Sequence, residues 1–463
     1  MDSVRQHLLD LIEAPDAYDR PKAEIEPLQL EAARALFTER LEQIPVLKRR
    51  AEEAGVTEIR SFDDIVPLLF AHTVYKSYPP SFVEKGQWPR MLQWLNTLSV
   101  EDVTKVDVAG VENVDDWIDR LEAAGHHILA TSGTSGKCSF LTHTRDDLPR
   151  KVRHWRNTLG WPRVRPNGDR PFFSLGPSSG PNSAIEAGLI NAQLWARPDQ
   201  RHFLTDEPLR ISDVSTMAAM RRKMGDGSAT PGEIARFEAE ASAKGQRMNA
   251  AVHAIADKIL AHRHEPIVLS GLWAQHLIII KRARELGIAD GDFHPKSVIS
   301  AGGGVKNVAL PDDYKEQVAR FYGNVIRGGA YGMTELAQLL PRCEHDRYHR
   351  APGLITLILD RTSGATLATV PFGGVDQIAY DSATNRYVLP ARHYQTSKIA
   401  AASNFVPTLG LVDAASRSII TTLAIGNNAH SVAVDSATGQ AYLPFGPGVA
   451  AFPNGGIQVV TIH

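Results

Sequence analysis

The sequence predicts an α/β protein, with mostly parallel sheets flanked by helices, followed by an all-β segment. Three observations predict it. Between residues 126 and 350, short apolar β-like runs alternate with helical patterns. Residues 1–125 read as mainly helical. Past residue 351 charge thins out, and a unit containing DSAT returns.

In chain order, "LQLEAARALFTERLEQIPVLKRRAEEAG" places apolar residues near helical spacing and ends on a glycine, as helices often do. "PLLFAHTVYKSYPPSFV" mixes β-formers with a Pro-Pro break, and "MLQWLNTL" reads as a short helix. The runs "HHILATS", "PFFSLGP", "PIVLSG" and "SVISAGG" are expected as strands, each closed by Gly, Ser or Pro. Between them "MNAAVHAIADKILAH" and "LWAQHLIIIKRARELG" read as helices. Ligands of such folds bind beyond the carboxyl ends of the strands, where the glycine-rich stretches of this chain are expected to fall.

In the last part, residues 351–463, "VDQIAYDSATNRYVLP" is answered by "AHSVAVDSATGQAYLP", with DSAT starting at Asp381 and again at Asp435. Each copy is preceded by a similar run, so the unit offers about four short strands. It resembles the YVTN/NHL-type β-propeller repeats. Two blades fall short of the four to eight that close a propeller. Open blades leave sheet edges, which suit a protein partner or self-association.

The 463 residues suffice for two or three domains, and 43% apolar with 22% charged residues is ordinary for a soluble globular protein. A net charge of −2 argues against a nucleic-acid or acidic-membrane partner. Two cysteines, Cys138 and Cys343, exclude a disulfide framework; they leave room for one long-range bridge, and two reduced thiols are the simpler expectation. The acid-bearing amphipathic start is unlike a secretion signal, and no run reaches the roughly 18–20 apolar residues of a membrane span. The expected location is the cytoplasm.

Three stretches carry chemistry. In "TSGTSGK", Gly133 and Gly136 stand too close together, and Cys138 follows Lys137, so this is not a Walker loop. It can still cradle phosphate: glycines let backbone N–H groups approach anionic oxygens, and hydroxyls and a lysine add donors. A solvated flexible turn is the competing reading. "SAGGGVK" would let a flat ligand lie against backbone, or be an ordinary strand-to-helix turn. In "RGGAYGMTELAQ", Tyr331 offers an aromatic face, Thr334 a hydroxyl and Glu335 a hard oxygen ligand for Mg²⁺. The competing reading there is a glycine-rich turn into a helix with Glu335 in its first turn.

Together and in this order, the stretches resemble the adenylate-forming, acyl-activating superfamily, over about residues 60–350. "TVYKSYPPSF", "QWLNTL" and "LPRCEHDRYH" look closest to the acyl-protein synthetase branch, akin to phenylacetate-CoA ligases. The resemblance implies an ATP-binding core. Thr131, Ser132, Gly133, Thr134, Ser135, Gly136 and Lys137 would hold the β/γ-phosphates and pyrophosphate. Gly302, Gly303 and Gly304 would border adenine, and Tyr331 would stack on it. Thr334 would contact the α-phosphate and Glu335 would ligate Mg²⁺, making Lys137, Thr334 and Glu335 the catalytic set. The implied reaction joins a carboxylic acid to AMP, releasing pyrophosphate, for transfer to a thiol of CoA or a protein cysteine. His126, His127 and Trp273 are candidates for the acyl pocket, against ordinary packing roles.

The family pattern continues to a T-G-D segment that clamps ribose and to a small domain with a catalytic lysine, and neither follows Glu335 here. Losing the clamp would cost about 1.5–3 kcal/mol per ribose hydroxyl. Losing the lysine is comparable to removing one oxyanion donor, about 10²–10³ in rate. The chain thus reads as an adenylation core joined to a propeller-like tail. The alternative is a non-catalytic nucleotide- or acyl-binding scaffold, and a propeller-type lactonase is a third reading that two blades argue against.

Overall fold

The computed structural model describes residues 3–71, 73–131, 137–225, 227–303, 310–344, 347–357, 359, 378–395, 405–416, 418–426, 429, 431–447 and 453–462. The chain forms two units, Met1–Thr356 and Leu357–His463, so residues 1–125 and 126–350 share one unit.

Helices dominate the start of the first unit: Ser3–Leu11, Lys22–Arg40, Pro45–Ala54, Pro80–Glu84, Trp88–Asn96 and Val114–Ala123. The stretch read as one helix is two, broken between Arg40 and Pro45, and the second ends on Gly55 in the left-handed region (φ 67°). The β-formers of 67–83 make no strand among the described residues. They form short 3₁₀ turns, Val66–Leu68 and Val74–Lys76, ahead of helix Pro80–Glu84.

The next two strands, β1 (His127–Ala130) and β2 (Phe140–His143), pair antiparallel from His127↔His143 to Ala130↔Phe140. This corrects one expectation: "HHILATS" lies outside the parallel sheet, and the glycine-rich stretch after it joins two antiparallel strands. The pairing follows from the packing. Ile128, Ala130, Cys138 and Phe140 are buried against Met91, Leu95, Trp117 and Leu121 of the preceding helices.

The central sheet has five parallel strands: β3 (Arg170–Pro177), β4 (Ala196–Thr205), β5 (Val268–Leu272), β6 (Val298–Gly302) and β7 (Ile326–Arg327), in the order β4-β3-β5-β6-β7. Neighbouring residues alternate faces, as strand geometry demands. Phe173, Leu269 and Ile299 join the core with helices Pro231–Ala261, Trp273–Glu285 and Tyr314–Tyr322. Phe172, Val268 and Val298 pack with Leu159 and Trp195, the latter from helix Ser183–Trp195. From β3 the chain crosses to β4 on one side, then returns to β5 on the other. The order therefore reverses between β3 and β5, the position where open parallel sheets bind ligands. A short pair, β8 (Ala330–Tyr331) with β9 (Leu340–Pro341), closes this part.

The second unit is all-β. Strands β10 (Ala379–Asp381), β11 (Arg386–Gln395), β12 (Phe405–Asp413) and β13 (Ser418–Ala424) form an antiparallel meander. Strands β14 (Ala433–Asp435), β15 (Gln440–Phe445) and β16 (Gly456–Thr461) form a second. No closed propeller is present among the described residues. The repeat is visible in its turns. Asp381 accepts from the Ala383 and Thr384 N–H groups, and Asp435 from the Ala437 N–H and, at 2.9 Å, from the Thr438 hydroxyl. The two turns touch where the Ser382 N–H donates to Ser436 Oγ at 3.1 Å. Most of "LILDRTSGATLATV", the run ahead of the first DSAT copy, lies outside the described residues.

Candidate functional site

Four segments of the first unit meet at the rim of the sheet. Ala130, the last residue of β1, donates its N–H to the Pro181 carbonyl at 2.6 Å and accepts from Asn182 Nδ2 at 3.1 Å. Pro181 and Asn182 belong to the turn after β3. Asn182 also caps helix Ser183–Trp195, its side chain accepting from the Ala184 N–H. One residue on, the Ser183 and Thr334 hydroxyls share a hydrogen bond of 2.9 Å. The base of the "TSGTSGK" stretch and Thr334 are thus both pinned to one turn, at the amino end of a 13-residue helix. The partial positive charge at such an end favours anions.

Thr131 braces the foot of its loop: its N–H donates to the Ser139 carbonyl at 3.1 Å, and its hydroxyl accepts from the Ser139 N–H at 3.0 Å. Ser132, Gly133, Thr134, Ser135 and Gly136 lie outside the described residues. On the far side of the loop, the Lys137 ammonium donates to the Tyr78 carbonyl and sits 4.3 Å from the centre of the Tyr78 ring. Burial, and then the nearby charge of Lys76, hold its pKa below the ordinary lysine value. Tyr78 is anchored in turn by its hydroxyl, which donates to the Cys138 carbonyl at 2.9 Å.

Glu335 is half-buried, and its carboxylate acts on Tyr75. The Tyr75 hydroxyl is pushed above its usual pKa, first by burial and then by that negative charge. No group of three or more metal-binding side chains occurs among the described residues. A lone carboxylate is still a chemically sound Mg²⁺ partner where phosphate oxygens and water supply the other ligands. After Thr334 the chain forms turns, so the helix that would carry Glu335 in its first turn is not found.

Gly302 ends β6, opposite Leu272 of β5. Gly303 follows with φ +82°, a backbone conformation that favours glycine, and a Cβ there would stand 2.5 Å from the tip of the exposed Leu272 side chain. Gly304 lies outside the described residues. Beside β6, Gly328 donates its N–H to the Ile299 carbonyl, and a Cβ on it would meet the Leu159 carbonyl at 2.6 Å. Tyr331 is exposed, its ring centre 5.7 Å from that of Tyr348.

The structure thus brings Thr131, Lys137, Thr334 and Glu335 towards two connecting segments, 73–78 and 181–183. Sequence reasoning missed the partners there: Tyr75, Lys76, Tyr78, Asn182 and Ser183. Only Asn182 carried a readable signal, as a capping residue ahead of a helical run.

The three acyl-pocket candidates separate. His126 lines a cavity of about 450 Å³ with Leu8, Leu36, His143, Arg150 and Ile355, its Nδ1 3.2 Å from Glu101. Trp273 packs edge-on against Tyr314. His127 belongs to an ionic network, 2.9 Å from Glu122 and 2.7 Å from Glu186, whose other oxygen accepts from the buried Lys151 at 2.7 Å. Hydrogen bonds to Glu122 and Glu186 raise the His127 pKa to about 9. Burial works to raise the Glu186 carboxyl, but His127 and Lys151 outweigh it and hold it below its usual range. Glu186 lies in the first turn of helix Ser183–Trp195, so this network holds the same helix end that meets Thr334.

Cys138 and Cys343 are buried and form no disulfide. No helix among the described residues is long and apolar enough to cross a membrane. Neither a protein-family model nor any curated protein matches this chain.

Proposed function

We propose that the unit Met1–Thr356 is an acyl-activating ligase core of the adenylate-forming type, dependent on ATP and Mg²⁺. A carboxylate oxygen attacks the α-phosphorus of ATP, the bond to pyrophosphate breaks, and acyl-AMP is left for a thiol of CoA or a protein cysteine. The observation that carries this reading is the shared anchoring of Ala130 and Thr334 on residues 181–183. It links the foot of a hydroxyl- and lysine-bearing loop to a threonine and carboxylate suited to the α-phosphate and Mg²⁺. Lys137 would neutralise the leaving pyrophosphate, and Gly302, with open space where a side chain would stand, leaves room for a flat base. Catalysis of this kind needs little beyond alignment and charge neutralisation.

The test is ATP–pyrophosphate exchange with Mg²⁺ over a panel of fatty and aryl acids, beside Lys137→Ala. Exchange that depends on one acid and falls in the variant supports the reading. Bound ATP without exchange supports the scaffold alternative, which the engagement of Lys137 by Tyr78 favours. The sheets of the second unit are read as two propeller-like blades forming an interaction surface. Support for this is the repeated Asp turn and the exposure of Ile420, Leu423, Ile457 and Val459.

A further inference from the structure

The cavity of about 450 Å³ beside His126 lies among helices Ser3–Leu11 and Lys22–Arg40, strand β2 and the segments around Gln338 and Gly353. Leu8, Leu9, Leu36 and Ile355 make much of its wall, and Leu36 keeps 41% of its surface exposed. Uncovered aliphatic surface in a concave site is stabilised by an apolar ligand.

The charges around this wall are matched within the chain. Glu39 lies 2.7 Å from Arg5 and 3.2 Å from Arg40, Asp147 lies 3.2 Å from Arg150, and Glu101 lies 3.2 Å from His126. An ionic ligand would have to break one of these pairs or enter without a counter-ion, and a buried charge without a partner is costly.

Two lining residues call for a polar group that carries no charge. Gln338 Oε1 and His143 Nε2 are buried with no hydrogen-bond partner among the described residues, a state that a ligand contact would relieve. The backbone beside Gln338 is fixed, since the Leu339 N–H donates to His154 Nε2 at 2.7 Å. A Cβ at Gly353 would stand 2.2 Å from Gln338 Nε2, so the glycine gives the amide its room. Oε1 makes no bond that turning would break, so rotation about the last torsion of Gln338 presents it to a ligand at small cost. An amide oxygen only accepts, and a carboxylate has no proton to donate to it. Burial holds the His143 pKa at about 4, so its ring is neutral near pH 7 and adds no attraction for an anion. A hydroxyl both donates and accepts, and so suits either tautomer of that ring as well as the amide.

We propose that this cavity binds a neutral aliphatic alcohol, its chain on Leu8, Leu9, Leu36 and Ile355 and its hydroxyl donating to Gln338 Oε1. The inference goes beyond the acyl-activating reading and does not rest on it.

The experiment is calorimetric titration of the full chain with n-octanol, with heptyl methyl ether, which has the same heavy atoms but no O–H, and with octanoate. Wild type should bind the alcohol about fivefold more tightly than the ether, the worth of one neutral hydrogen bond. Octanoate should bind about tenfold or more weakly than the alcohol. Gln338→Met should erase the preference for alcohol over ether, a readout that general damage to the fold would not produce. Leu36→Trp, which fills the cavity from an exposed position, should abolish binding, whereas Leu286→Trp, exposed and outside the cavity, should match wild type.

Equal binding of alcohol and ether by wild type would refute recognition through the hydroxyl, with no variant needed. Tighter binding of octanoate would overturn the neutral-ligand inference and make the cavity an anion site. A wild-type chain that takes up no n-octanol would overturn the inference outright. None of these outcomes bears on ATP–pyrophosphate exchange, so the two readings fail separately.

Discussion

Alkaline pH should weaken the first unit through His127. Its folded pKa of about 9, against an ordinary 6.5, corresponds to at most roughly 3 kcal/mol. About a quarter of the side chain is exposed (26%), so solvent screening brings this to about 1–2 kcal/mol. Because the folded pKa is the higher one, the contribution is complete below pH 6.5 and is lost as pH rises through 9. His127→Gln keeps hydrogen-bonding capacity but cannot titrate. It should unfold more easily than wild type at pH 6.5 and lose the slope between pH 6.5 and 9.5. The assay is urea unfolding followed by tryptophan fluorescence. All seven tryptophans lie between Trp88 and Trp273, so the signal reports this unit alone. Equal pH slopes in wild type and His127→Gln would refute the reasoning.

The acid side should behave in the opposite sense. Burial lowers His143 to about 4, His154 to about 3 and His276 to about 4, so the unfolded chain takes up these protons first. Stability should fall as pH drops from 6.5 towards 4, by up to about 1.4 kcal/mol per pH unit for each, and His276→Gln should shallow that slope in the same fluorescence assay. Ser183→Ala removes the partner of Thr334 at about 1 kcal/mol, and should slow ATP–pyrophosphate exchange about fivefold with little change in the unfolding midpoint. Gly303→Ala forces a Cβ into the left-handed region and onto Leu272, which should cost about 1–2 kcal/mol in urea unfolding. Lys151→Met removes one of two cationic partners of the half-buried Glu186 and leaves it His127, so it should destabilise by about 1.5–3 kcal/mol, read from the same transition.

Much of the architecture was legible in the sequence because its signals are local. Apolar runs such as "PFFSLGP" and "SVISAGG" are strands, since β-formers bounded by turn residues have few other uses. The DSAT repeat announced two related β units, because the aspartate serves its own turn wherever that turn sits. The loops with glycines, hydroxyls and Lys137 could be named for the same reason: they are chemically distinct before they are placed.

What only the tertiary structure decided is which segments meet. "HHILATS" has the composition of a parallel strand, yet it pairs antiparallel with Phe140–His143, because Trp117 and Leu121 bury that hairpin beneath the amino-terminal helices. Nothing local to Ser183 marks it as the partner of Thr334, 151 residues away. The same holds for Lys76 beside Lys137, and for His127 drawn into an ion network between Glu122 and Glu186. Residue type and turn chemistry act over a few bonds. The encounter of distant side chains is set by the packing of whole helices and strands, and that balance is struck only in the folded chain.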